Sequence, residues 1–89
     1  MAERRTGPVF SGGPTARAVA AAICLENQGV VVEDRGGYLR VVAVGTCRVT
    51  RGAIEAELGR PFALETELEP LMPAFRGKFT LGAEEARWE

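Results

Sequence analysis

With 89 residues, 46% hydrophobic and 26% charged, the chain has material for one small domain whose core buries about two thirds of the surface exposed when unfolded. Eleven basic against twelve acidic residues give a net charge of −1, so no excess of positive charge exists to displace counterions from a phosphate backbone, which argues against nucleic acid as a partner. Histidine is absent, which removes the commonest general base and the commonest transition-metal ligand.

The first seven residues are polar and are expected to be mobile, and Gly7-Pro8 leads into a short extended piece at Val9-Phe10. Pro14 suits the first position of a helix, where its missing N–H costs nothing, and Ala16, Val19, Ala20 and Ile23 recur at helical spacing. Asn27 and Gly29 stop this first helix, predicted over 14–27. Arg4-Arg5 followed by the apolar stretch from Ala18 to Leu25 imitates an export signal, but Gly12-Gly13-Pro14 and Arg17 intervene. The apolar run also falls far short of the ~20 residues of a membrane span, so no membrane partner is expected.

Val30-Val31-Val32 is β-branched, and Arg35-Gly36-Gly37 supplies turn residues before a strand from Tyr38 to Val44, which together predict a hairpin. Gly45-Thr46 turns the chain again, and Cys47 to Val49 returns as a third strand with Arg48 on the opposite face from its neighbours. Thr50 has the character of an N-cap, Ile54 and Leu58 share one helical face, and Gly59 sits where left-handed angles are needed, so a second helix is predicted over 51–58. Arg60-Pro61-Phe62 breaks it. A single helical turn over Glu65–Glu69 and a last long strand from Met72 to Leu81, interrupted near Gly77, follow, with Trp88 as an anchor on the core. The order describes a compact α+β domain of two loosely β-α-β-like units with antiparallel hairpins and two main helices.

Motifs of chemistry are scarce. Cys24 and Cys47 form no C-x-x-C or metal-ligand pair, and two buried thiols in a reducing cytoplasm are expected. No phosphate-binding loop is present. Glu33-Asp34 and the alternating Glu65, Glu67 and Glu69 could supply paired carboxylates or a cation site, or simply a solvated charged surface. Ten arginines stand against one lysine, Lys78. Interfaces favour arginine, and a GC-rich genome produces the same bias. The glycines, Pro61, Phe62, Phe75 and Phe79 all have ordinary turn or packing roles available, whereas Arg35, Tyr38, Arg60 and Arg76, on or beside rigid turns, are what a protein-binding surface presents.

Four blocks in order, G-P-V-F at 7–10, V-E-D-R-G-G-Y-L-R-V at 32–41, V-T-R at 49–51 followed by L-G-R-P-F at 58–62, and E-L-E-P-L-M-P-A-F-R-G-K-F at 67–79, with Arg87-Trp88 beyond them, span nearly the whole chain. With these blocks the sequence resembles the effector proteins of bacterial multicomponent diiron monooxygenases, which serve methane, phenol, toluene and alkene hydroxylases. The short segment before the first block looks more like the toluene, phenol and alkene branches. The resemblance implies a non-catalytic protein without metal or organic cofactor, a monomer when free, that docks on the diiron hydroxylase within a system also containing ferredoxin and reductase. It would reshape the hydroxylase active site and couple O2 activation to hydrocarbon oxidation.

Carried over position by position, the resemblance implies docking contacts from Glu33, Asp34, Arg35 and Tyr38 in the hairpin, from Arg51, Arg60 and Pro61 at the ends of the second helix, and from Phe75, Arg76 and Gly77 in the last block. The chain departs from the family pattern with Gln28 after Asn27, and with Leu71, Ala74 and Arg76, where the family carries Pro, Asn, a hydroxyl and a small residue. A generic α+β interaction or ligand-binding module is the alternative from another class. An enzyme would need a metal or cofactor.

Overall fold

The structure, a computed structural model, describes residues 4–89. Strand β1 (Arg5–Ser11) precedes helix α1 (Pro14–Glu26), a hairpin of β2 (Val31–Asp34) and β3 (Tyr38–Val44), and β4 (Cys47–Thr50), which runs directly into α2 (Arg51–Leu58). A one-turn α3 (Leu64–Glu67), a 3₁₀ turn over Glu69–Leu71, and short strands β5 (Ala74–Arg76), β6 (Phe79–Leu81) and β7 (Glu85–Trp88) follow. The strands form two sheets, one of order β2-β3-β1-β5 and one of order β4-β7-β6. Every ladder is antiparallel, in an α+β domain with the two main helices expected.

Each of the two main helices is tied to its neighbour at one end. Pro14 opens α1, and Ala16, Val19, Ala20, Ala22 and Ile23 form its buried stripe. Asn27 leaves the helix with extended backbone. Its amide donates to the carbonyls of Ile23 and Arg48 at 2.7 Å each and accepts from the Arg48 N–H at 3.1 Å, which fastens the end of α1 to β4. Thr50 caps α2, its Oγ1 accepting from the Ala53 N–H at 3.2 Å. The same threonine donates its N–H and its hydroxyl to the Glu26 carboxylate at 2.7 and 2.9 Å. Gly59, at φ +72°, closes α2 in the left-handed conformation that glycine adopts without a Cβ penalty.

Alternation along the first sheet sends Thr6, Pro8 and Phe10 of β1 and Leu39, Val41 and Ala43 of β3 inward. There they meet α1, which in turn packs on α2 and β4, around one core in which Phe10, Ile23, Ile54, Phe62 and Trp88 are buried. Among the described residues, no helix lies on the other face of the first sheet.

Four expectations change. The mobile segment expected over 1–7 lies outside the described residues for 1–3, whereas β1 already begins at Arg5, laddered to β3, with the Thr6 hydroxyl donating to the Gly45 carbonyl at 2.8 Å. The single strand expected over 72–81 is two strands in different sheets, because Gly77 at φ +95° turns the chain from β5, paired with β1, to β6, paired with β7. Trp88 anchors the core as expected, yet it does so from β7, the central strand of the second sheet, paired on both sides. Only one thiol is buried. Cys24 is exposed on α1, while burial, reinforced by the nearby Cys24, pushes the Cys47 thiol up to about 12.

Candidate docking surface

The hairpin tip is held by its own side chains. Asp34 accepts the Gly36 N–H at 2.9 Å and the Arg17 guanidinium at 2.7 Å, and these bonds, the backbone one first, hold its carboxyl below the usual value. Gly36 takes φ +84°, the Arg35 N–H donates to the Tyr38 carbonyl at 2.9 Å, and Gly12 donates to the Gly37 carbonyl at 3.1 Å. Arg35 pairs with Glu33 at 3.2 Å, and Tyr38 stands 45% exposed beside this rigid turn.

Cross-strand partners share a face of a sheet. Glu33 lies opposite Arg40, Tyr38 opposite Ser11, and Arg76 opposite Gly7, all on the outward face of the first sheet. Phe75 pairs with Pro8 at the sheet edge, half-exposed, and leads an aromatic ladder inward: its ring centroid is 5.4 Å from that of Phe79, itself 5.3 Å from that of Trp88. Gly77 sits in the corner between the two sheets. Arg51, Arg60 and Pro61 lie elsewhere, at the ends of α2 on the inner side of the first sheet. Arg51 binds Glu84 at 3.0 Å. Arg60 donates to the Pro61 carbonyl at 2.8 Å and to Glu67 at 3.3 Å, with its guanidinium carbon 5.9 Å from the Phe62 ring centroid. The other Glu67 oxygen accepts the Ala63 N–H at 2.7 Å, and that bond, with Arg60 second, lowers its pKa. The candidate residues therefore fall into two groups on two sides of the domain.

The outward face holds residues that motif reasoning missed. Val31 is 56% exposed, Val44 59%, and Val42 lies half-buried opposite Val31. With Arg5, Arg40 and Glu33 they wall a shallow depression of about 270 Å³. One signal was in the sequence: Val41-Val42-Ala43-Val44 is apolar on both faces of a strand, in a chain with a single core to fill. A second and more apolar groove, of about 260 Å³, runs between α1 and β2 past Ala20, Ala21, Cys24 and Val32.

Paired charges dominate elsewhere. Glu33, Asp34 and Glu67, which spacing offered as paired carboxylates, are each engaged by an arginine. Among the described residues no group of three or more His, Cys, Asp or Glu side chains is placed to hold a metal ion, and no helix is long and apolar enough to cross a membrane. What the fold presents is a shaped surface on a rigid support, as a small docking domain does.

Comparison with known proteins gives that class a family. Residues 4–89 match the MmoB/DmpM family, and the chain belongs to it. It is 40% identical, over 99% of its own length and 88% of the relative's, to the effector subunit of the alkene monooxygenase system of Xanthobacter autotrophicus. Its fold also matches a chain in a solved phenol hydroxylase–regulatory protein complex with a TM-score of 0.86, covering 97% of this chain and 98% of that one at 19% identity.

Proposed function

We propose that the protein is the non-catalytic effector subunit of a multicomponent diiron monooxygenase, which binds the hydroxylase and raises both its turnover and the coupling of O2 activation to hydrocarbon oxidation. One observation carries this reading: 99% of the chain aligns, at 40% identity, with 88% of an alkene monooxygenase effector subunit. The site is consistent with it, since Glu33, Asp34 and Glu67 are engaged by arginines of the chain while an exposed surface remains. The structural likeness to the regulatory-protein complex supports the fold on which such a surface is built.

An effector acts by binding one conformation of its partner more tightly than another, and linkage makes the effect reciprocal. A domain of this size offers about 800 Å² to a partner, enough for a specific but exchangeable complex. The hairpin residues Glu33, Asp34, Arg35 and Tyr38 and the β5 corner at Phe75, Arg76 and Gly77 are our candidates for contact, with Arg51, Arg60 and Pro61 as a separate group on the far side. We place the protein in the cytoplasm, where exposed Cys24 would remain a free thiol. Titration into purified hydroxylase by calorimetry tests the reading. Saturable binding is expected, and no detectable heat or complex at any ratio would overturn it.

A further inference from the structure

We infer that the outward face of the first sheet is the surface that meets the hydroxylase, and that the hydroxylase presents to it an apolar patch ringed by carboxylates. The inference rests on the effector reading and adds the face and the chemistry of its counterpart.

Two independent features meet on this face. The first is apolar. Val31 and Val44 are each more than half exposed, and Val42 lies directly opposite Val31, so β-branched side chains stand together in water. Strands that are apolar on both faces are ordinarily covered on both, and here the described residues cover only the inner one.

The second is the distribution of arginine. Of the ten in the sequence, six (Arg17, Arg35, Arg48, Arg51, Arg60 and Arg87) are ion-paired to carboxylates of the chain. Arg4 donates to the Glu89 carbonyl. The remaining three, Arg5, Arg40 and Arg76, have no hydrogen-bonded or ionic partner among the described residues, and alternation puts all three on this face. Its strands contribute one outward carboxylate, Glu33, which Arg35 already engages. A chain of net charge −1 is thus locally positive around its exposed valines.

The occupant follows from that chemistry. Guanidinium forks match carboxylates in bidentate geometry, and valines need apolar side chains to exclude water. A second copy is a poor fit, because two-fold pairing of this face sets arginines against arginines. Nucleic acid would be repelled by the rest of the chain.

The experiment measures the affinity of labelled effector for the hydroxylase across a salt series. It compares wild type, the triple variant Arg5→Glu/Arg40→Glu/Arg76→Glu, the apolar variant Val31→Ser/Val44→Ser, and Arg51→Glu/Arg60→Glu from the far side. Circular dichroism and thermal melts check the fold of each variant, and all the substituted side chains are at the surface. Wild-type binding should weaken as salt rises, whereas the triple variant should lose about a hundredfold or more at low salt and recover part of that loss as salt screens the repulsion between its glutamates and the partner's carboxylates. The valine variant should weaken binding about tenfold at every salt concentration. A folded triple variant that binds like wild type would overturn the inference while leaving the effector reading intact, as would loss of binding confined to the far-side variant. Failure of wild type itself to bind would instead remove the effector reading. Self-association or nucleic-acid binding that the triple reversal abolishes, with hydroxylase binding unchanged, would assign the face to that occupant and overturn the proposal.

Discussion

Gly77 lies directly against Glu89: a Cβ built on the glycine would come within 2.9 Å of the Glu89 carbonyl oxygen and equally close to the Thr6 methyl. The contact is backbone on one side, so it cannot move aside cheaply. Lys78 and Glu89 exchange two backbone hydrogen bonds beside it, at 2.8 and 2.9 Å, which fixes the corner where the two sheets meet. With φ at +95° as well, Gly77→Ala should cost about 3 kcal/mol or more. Gly36, at φ +84° but with open space around it, should lose only about 1–2 kcal/mol on the same change. Urea unfolding of both variants checks the ordering, and equal losses would contradict it.

Thr50 and Glu26 join the two main helices. Because the threonine both caps α2 and donates twice to the Glu26 carboxylate, Thr50→Ala should destabilise by about 2 kcal/mol, the upper part of the range for a lost N-cap. Glu26→Ala should destabilise less, and the two losses should not add in a double variant, since they share one network. A chemical-denaturation cycle measures this directly, and simple additivity would show the network to be illusory.

Much of this architecture was legible in the residues. Pro14, Thr50 and Gly59 mark helix ends because each satisfies or omits a specific backbone group, and the hairpin follows from β-branched runs around Arg35-Gly36-Gly37. The strand carrying Trp88 was not legible: Glu85 to Trp88 is short and charged, and its strand conformation comes from pairing with β4 and β6 on either side. The two halves of 72–81 likewise read as one strand because a strand's local pattern does not say which sheet it joins. The candidate site divides the same way. Motif blocks led to the hairpin and the β5 corner, but Arg5 and Arg40 stand out only once six other arginines are seen to be ion-paired while these two have no such partner among the described residues, a fact of three-dimensional arrangement. Exposure of Cys24 escaped for a related reason, since its helix position falls just off the buried stripe.

Acid should loosen the domain through Asp34 and Glu67. Both carboxyls are held below their ordinary values of 3.8 and 4.5, Asp34 by the Gly36 N–H and Arg17, Glu67 by the Ala63 N–H and Arg60. A depressed folded-state pKa means stability that is fully present above the unfolded value and is lost as pH falls through the folded one. The urea midpoint should therefore hold near neutrality and drop as pH falls through and below 4.5 and 3.8. Asp34→Asn and Glu67→Gln should be less stable at neutral pH and lose less on acidification. Because both groups are exposed, added salt should shrink the effect. Parallel acid curves for wild type and variants would exclude these two groups as the cause.

The thiols should separate cleanly in reactivity. Cys24 is exposed, whereas Cys47 is buried with its thiol raised to about 12 and so remains protonated at the mildly alkaline pH of alkylation. Native protein should react once, at Cys24, with the second equivalent reacting only on unfolding. Two fast equivalents in the native state would contradict the packing around Cys47.

The role of this chain is to change what a diiron hydroxylase does while contributing no reactive group of its own. Its most direct test is the ratio of oxidised product to O2 consumed in a reconstituted system of hydroxylase, ferredoxin and reductase as effector is added. Turnover and this ratio should both rise saturably with effector, and the effector alone should oxidise nothing. A ratio that stays flat at every stoichiometry, or product formed by the isolated chain, would contradict it.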